Sequence, residues 1–159
     1  MDHFYYGKAG MKPDRNGKYN FDVPESVDIE ACARAARELA TGNEVTIPVY
    51  DMKISERTGV QKIKIIPGTR LIVVEGIFAF YSPLLETATL RIYLDTPMEI
   101  RVARRMLRDV EKGRSNIETL SWSITVEENH AKYVEPTKKH ADLAIPFSYN
   151  PVQLEKTAK

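Results

Sequence analysis

The chain has 159 residues, 43% of them hydrophobic and 28% charged, which is the balance of a single globular domain and excludes a disordered or fibrous polymer. The formal net charge is +1, so no whole-molecule field draws it to nucleic acid or an anionic membrane, and any such partner would need a local patch. No run reaches the roughly 18 apolar residues of a membrane span, the N-terminus lacks a secretory pattern, and the single cysteine, Cys32, forms no intrachain disulfide. A cytoplasmic location is the expectation.

Taken in chain order, residues 1–24 are rich in Gly, Lys, Asp and Tyr without periodicity and read as an ordered loop. A helix is predicted over 24–41. Ile29, Cys32, Ala33, Ala36 and Leu39 follow the i, i+3, i+4 rule, and Gly42 is a natural stop. The runs EVTIPVY (44–50) and VQKIKII (60–66) flank the polar stretch DMKISERTG and read as a hairpin. Three later runs, LIVVEG (71–76), LRIYLD (90–95) and DLAIPF (142–147), are nearly continuous in apolar residues, as strands buried on both faces of a parallel sheet are. Between them, Thr96-Pro97-Met98-Glu99 has the form of a capping box and opens a helix over 97–112. A further helix is predicted over 117–139. Alternating strands and helices make the fold α/β, with ligands expected at the carboxyl ends of the strands. One domain over 1–147 and a tail over 148–159 complete the organisation.

Asp2, Glu75 and Asp95 are acidic residues at strand ends, or where a strand would end. Carboxylates there hold Mg²⁺ or accept a proton from an attacking hydroxyl. Asp95 has a simpler account, since Thr96 begins a helix beside it, whereas Gly76 after Glu75 permits close approach of backbone or ligand. The stretch RVARRMLRDVEKGR (101–114) carries six basic residues against two acidic ones. Arg101, Arg104, Arg105 and Arg108 share a helix face, and Lys112-Gly113-Arg114 forms a cationic corner suited to closing over phosphates. A solvated basic face explains the arginines equally well on composition. A nucleic-acid platform is disfavoured because no aromatics are interleaved. Tyr5, Tyr6, Tyr19, Phe21 and Tyr50, with Asp22, could grip a flat base and a ribose hydroxyl pair, or fill a core. The three histidines show no metal-ligand spacing and read as ordinary polar positions.

The strings DHFY (2–5), YNFDVPESVD (19–28), IPVYD (47–51), VVEGIFAFYSP (73–83), LDT (94–96), RVARRMLRDV (101–110) and EPTKKHADLAIP (135–146) together resemble, in order, the uridine kinase and phosphoribulokinase family of P-loop kinases. The uridine kinases are the nearer of the two. The resemblance implies an α/β fold with a P-loop nucleoside-kinase-like parallel sheet, flanking helices and a small β-hairpin. It implies ATP with Mg²⁺ as co-substrate, transfer of the γ-phosphoryl group to the 5′-hydroxyl of a nucleoside or related small molecule, and a possible homo-oligomer. By position it makes Asp2 the catalytic base and Glu75 the carboxylate near the metal. Asp22 becomes the partner of the ribose hydroxyls, and Tyr5, Phe21, Tyr50 and Arg105 further substrate contacts. Arg108, Lys112 and Arg114 become ATP and phosphate contacts. Ser55 stands where the family has a histidine, and Ser121 near a family glutamine. No Gly-x-x-x-x-Gly-Lys-[Ser/Thr] occurs in the 159 residues. The expectation is therefore a sheet missing its first strand, P-loop and first helix, and a chain inactive by itself. The alternative expectation is a P-loop-less nucleoside-binding or regulatory protein that pairs with a partner chain.

Overall fold

The computed structural model describes residues 1–15, 17–111 and 116–146, with backbone alone for 111 and 116–119. The chain opens on a single 3₁₀ turn, Asp2–Phe4, closed by the Phe4 amide donating to the Met1 carbonyl at 2.8 Å. Tyr5 forms an antiparallel bridge with Val27, and the amides of Asp28 and Tyr6 donate to the carbonyls of Phe4 and Ser26 at 2.9 and 3.0 Å. The opening segment is thereby stitched to the loop that precedes helix α1, Ile29–Ala40.

The helix predicted over 24–41 is shorter than its apolar pattern suggested. Pro24–Ser26 is a 3₁₀ turn, and the α-helix proper starts after Asp28, whose carboxylate accepts from the Ala31 amide at 3.0 Å as an N-cap. Gly42, at φ 86°, ends it in the left-handed conformation expected of a helix stop. The buried face of α1 is made of Cys32, Ala33 and Ala36, small residues that let its backbone lie close to its neighbours. With Phe4, Val27, Val45, Ile47, Phe78 and Leu84 they form one core cluster.

The hairpin forms, with β1 shifted by one residue from the reading, β2 moved toward the tip so that 64–66 fall outside it, and a shorter turn. Strand β1, Val45–Asp51, pairs antiparallel with β2, Glu56–Ile63, leaving only 52–55 as the turn. The register slips between Val49 and Tyr50: Val49 faces Gly59 while Tyr50 faces Arg57, so Thr58 is the extra residue of a bulge on β2. A short helix α2, Leu84–Thr87, packs beside α1.

Two of the three apolar runs are strands of a parallel pair. Strand β3, Ile92–Asp95, lies beside β4, Leu143–Pro146, and the Arg91 guanidinium grips the Asp142 carboxylate through Nη2 at 2.6 Å and Nε at 2.9 Å just ahead of the ladder. The third run, 71–76, is not a strand. A strand exists through its inter-strand hydrogen bonds, and among the described residues this segment has no ladder partner. Leu71 and Val73 are 75% and 74% exposed. Helix α3, Met98–Glu111, lies within the 97–112 of the sequence reading. Helix α4, Asn116–Asn129, is shorter than the predicted 117–139, because the chain widens into a π turn at His130–Val134 and tightens into a 3₁₀ helix at Glu135–His140. Pro136 contributes to the change: it lacks the N–H that would donate to the carbonyl four residues back, at Lys132, although Glu135 before it keeps α geometry at φ −54° and ψ −42°. The predicted tail over 148–159 lies outside the described residues.

Candidate active site

The segment that carries Asp2 and Tyr5 is held from the hairpin. Arg57 on β2 donates from Nε to the Tyr5 carbonyl at 2.7 Å and from Nη2 to the Phe4 carbonyl at 2.8 Å, and its guanidinium lies 5.1 Å from the Tyr6 ring centroid. The Phe4 carbonyl thus accepts from both Arg57 and the Asp28 amide, which satisfies both its lone pairs in a half-buried place. Glu56 takes the Ala9 amide at 3.1 Å and crowds Gly7, where a Cβ would stand 2.7 Å from its carboxylate. At φ 78° Gly7 also has a backbone that other residues adopt only with strain, so the hairpin and the opening segment approach through it. His3 contributes a further tie. Its Nδ1 accepts from the Tyr50 amide at 3.3 Å, and its Nε2 meets the Gln61 side chain at the same distance.

These ties gather the aromatic residues of the sequence reading. The Tyr5 ring lies 6.0 Å from Phe21 in an edge-on arrangement and 5.6 Å from Tyr50, and Tyr19 stacks on Phe21 at 6.4 Å. Burial drives the Tyr5 phenol well above its ordinary range, and the charges of Asp22 and Asp2, then Tyr50 and Glu75, push it in the same direction. One hydroxyl therefore feels every acidic residue that the sequence assigned to the acceptor and the metal. Burial likewise raises the Tyr50 hydroxyl, against a hydrogen bond with Ser55 that lowers it. Ser55 sits at φ 58° in the tip of the hairpin, and its carbonyl takes the Lys8 amide at 3.0 Å.

Asp22 is positioned by its neighbours in sequence. Ser26, fully buried, has its Oγ 2.6 Å from the Val23 carbonyl and 2.9 Å from that of Phe21, fastening the turn on both sides of Asp22. The Asp22 amide donates to Asn20 Oδ1 at 3.0 Å. Burial raises the Asp22 carboxyl above the usual carboxylate value, while Arg105 and then Arg108 pull it back down. Two residues of α3 are therefore electrostatic neighbours of the acceptor loop across more than eighty positions of sequence. Both arginines also lean on Asp109, 2% exposed, at 3.7 Å each. Arg101, one turn earlier, is paired with Glu127 of α4 instead and closes α3 onto α4. Lys112 and Arg114 lie outside the described residues.

No group of three or more metal-ligating side chains occurs among the described residues. Asp2 and Glu75 both act on Tyr5. A carboxylate pair of that kind suits Mg²⁺ delivered on a nucleotide, which takes one or two carboxylates together with phosphate oxygens and water, better than a dedicated protein cage. Asp95 is spent structurally, as its Oδ2 accepts from Lys138 at 2.7 Å. Sequence reasoning missed His3, Glu56 and Arg57 as parts of the site. Their spacing carries no motif, and only the folded hairpin brings them to the opening turn.

Comparison with known proteins gives a consistent picture. The family model of the phosphoribulokinase / uridine kinase family matches residues 5–152. A uridine kinase of Macrococcus caseolyticus is 34% identical over 149 residues, spanning 92% of this chain and 71% of the relative. Uridine kinases of Clostridium novyi and Chloroflexus aurantiacus are each 32% identical, the first over 92% of this chain and 71% of its own length, the second over 97% and 75%. A solved structure from Silicibacter sp. TM1040, described as a fructose transport system kinase, superimposes with a TM-score of 0.65 at 21% identity, covering 92% of this chain and 72% of that one. That likeness is one of fold.

Proposed function

This chain belongs to the phosphoribulokinase / uridine kinase family, and from that premise we propose that it is the acceptor-binding and base-bearing part of an ATP- and Mg²⁺-dependent phosphotransferase acting on the 5′-hydroxyl of a nucleoside or a related small molecule. The observation that carries the reading is the ring cluster of the opening segment, with Tyr5 6.0 Å from Phe21 and 5.6 Å from Tyr50, beside the Asp22 turn that Ser26 fastens. In this reading Tyr5, Phe21 and Tyr50 border the base, Asp22 takes the ribose hydroxyls, and Asp2 accepts the proton of the attacking hydroxyl. Glu75 stands near the metal. Arg105 serves the substrate and Arg108 the phosphates, with Lys112 and Arg114 as the cationic corner. Phosphoryl transfer depends mostly on positioning and on neutralising charge, which suits a site built of carboxylates, stacked rings and a basic helix.

A Walker A cradle is not among the 159 residues. We therefore expect the 159-residue chain by itself to bind the acceptor without phosphorylating it. Isothermal titration with uridine, cytidine and adenosine, each with and without ATP·Mg²⁺, tests both halves. Nucleoside uptake that needs no ATP and is lost in Asp22→Asn supports the acceptor reading, and silence toward all three nucleosides overturns it. Phosphate transfer by the same chain, abolished by Asp2→Asn, would overturn the inactivity. The exposed apolar residues Leu71, Val73 and Leu143 give the second reading, a nucleoside-binding protein that pairs with a partner chain, its physical basis.

A further inference from the structure

The Asp22 loop has a second attachment that its own sequence neighbourhood does not provide. Asn20 Oδ1, which accepts the Asp22 amide at 3.0 Å, also accepts from Asn129 Nδ2 at 3.2 Å, more than a hundred residues away. Asn129 is the last residue of α4, two positions beyond Glu127. Glu127 is the residue that pairs with Arg101 of α3, and one and two turns further along α3 stand Arg105 and Arg108, whose charges act on Asp22. These contacts run from Asp22 to Asn20, across to Asn129, along α4 to Glu127 and across to Arg101 on α3, the helix whose Arg105 and Arg108 charges act on Asp22. Two rigid helices and two polar joints thus set the distance between one carboxylate and its cations.

We propose that Asn20 and Asn129 form a latch that positions Asp22 against Arg105 and Arg108, so that the acceptor loop and the basic helix are held as one unit. The latch acts through Asp22 and touches no substrate; Asn20 and Asn129 are positioning residues. It rests on the reading of Asp22 as an acceptor contact only for its effect on binding. Its effect on the loop itself is independent of that reading. Both asparagines are half-buried, so the shared oxygen is shielded enough from water for the joint to count. Loss of one such hydrogen bond is expected to change an equilibrium by about fivefold.

The test uses the full chain and the variants Asn129→Ala, Asn20→Ala and the pair combined, with Glu128→Ala, an exposed neighbour on α4, as control. Hydrogen exchange at the Asp22 amide is expected to speed up about fivefold in Asn129→Ala and not in Glu128→Ala. Unchanged exchange overturns the latch. In parallel, uridine affinity is expected to fall about fivefold in Asn129→Ala, and the same substitution is expected to cost nothing further once Asn20 is Ala, because the shared oxygen is then already gone. Additive losses would mean that Asn129 acts by some route other than Asn20, which also overturns it. Faster exchange in a chain that binds no nucleoside would leave the latch standing and remove the acceptor reading instead.

Discussion

The hairpin side and the parallel-strand side of this molecule are held together by different physics. On the hairpin side, Phe4, Val27, the small face of α1, Val45, Ile47 and Phe78 are buried in one cluster, and Arg57, His3 and Glu56 pin the opening turn over it. On the other side all four residues of β4 are exposed, as are Ile92, Leu94, Leu107 and Ile124. Apart from Tyr93 of β3, which is buried against Phe80, what fixes that half is polar: Arg91 on Asp142, Lys138 on Asp95, Arg101 on Glu127. Parallel strands are ordinarily covered on both faces, so their apolar residues here contribute far less burial than their composition promises. The acceptor pocket is therefore expected to be the more robust region, and the strand pair the more sensitive to salt and to whatever covers it.

The sharpest way to break the comparison is in the core. Phe78 is 1% exposed, and Phe78→Ala is expected to cost about 4 kcal/mol, whereas Leu71→Ser on the exposed segment stays within about 0.5 kcal/mol. Urea unfolding monitored by circular dichroism reads both, and equal losses would dissolve the contrast. Next in size is the hairpin clamp. Arg57→Ala takes the side-chain donor from the Tyr5 carbonyl and one of two donors from the Phe4 carbonyl, and is expected to cost about 2 kcal/mol, with Arg57→Lys recovering only part because a lysine cannot reach both oxygens from one planar fork. Full recovery by lysine would mean that charge, not geometry, holds the turn.

A third test joins stability to function. The Asp22 carboxyl is raised above its ordinary 3.8 by burial. A raised folded value means that its contribution is fully present below pH 3.8 and is lost as pH climbs through the raised value, so at neutral pH the ionised group is a cost. Asp22→Asn is therefore expected to raise the thermal midpoint at pH 7 while losing nucleoside binding. A variant that loses binding and stability together would make Asp22 a structural residue. The smallest effect lies at high pH on the strand side. Burial and Glu135, which accepts from its hydroxyl at 3.1 Å, push the Tyr93 phenol up to about 12 from 10.0. Its contribution is intact below pH 10 and declines towards pH 12. Ultraviolet titration at the phenolate band is expected to lose one late-ionising tyrosine in Tyr93→Phe, and an unchanged curve would rule the shift out.

How much of this was legible in the sequence depended on the range of the interaction. Local patterns were readable: the α1 stripe and the hairpin came from periodicity, the α3 start from its Thr-Pro-x-Glu sequence, and strands β3 and β4 from short apolar runs. LIVVEG failed because an apolar run states a preference for burial and says nothing of a hydrogen-bonding neighbour. The helix predicted over 117–139 gave way after Asn129, ahead of Pro136, whose missing N–H was a signal present in the sequence and outweighed by the surrounding helical residues. The acidic and aromatic residues of the site stood out through their clustering in short strings. Arg57, His3, Asn20 and Asn129 did not, because a polar residue whose partner lies fifty or a hundred positions away leaves no period to detect.

The bulge at Thr58 has a consequence for how this hairpin can vary. Side chains of a strand alternate between faces, and a bulge absorbs an added residue locally, so that the pairs on either side of it keep their faces. Val49 stays opposite Gly59 and Tyr50 opposite Arg57 although β2 has one residue more between them. In a regular ladder the same residues would set Thr58 opposite Tyr50 and turn the guanidinium away from the opening turn, whereas deleting Thr58 would straighten β2 with Arg57 still opposite Tyr50. At this point the hairpin can lose a residue without turning its clamp away.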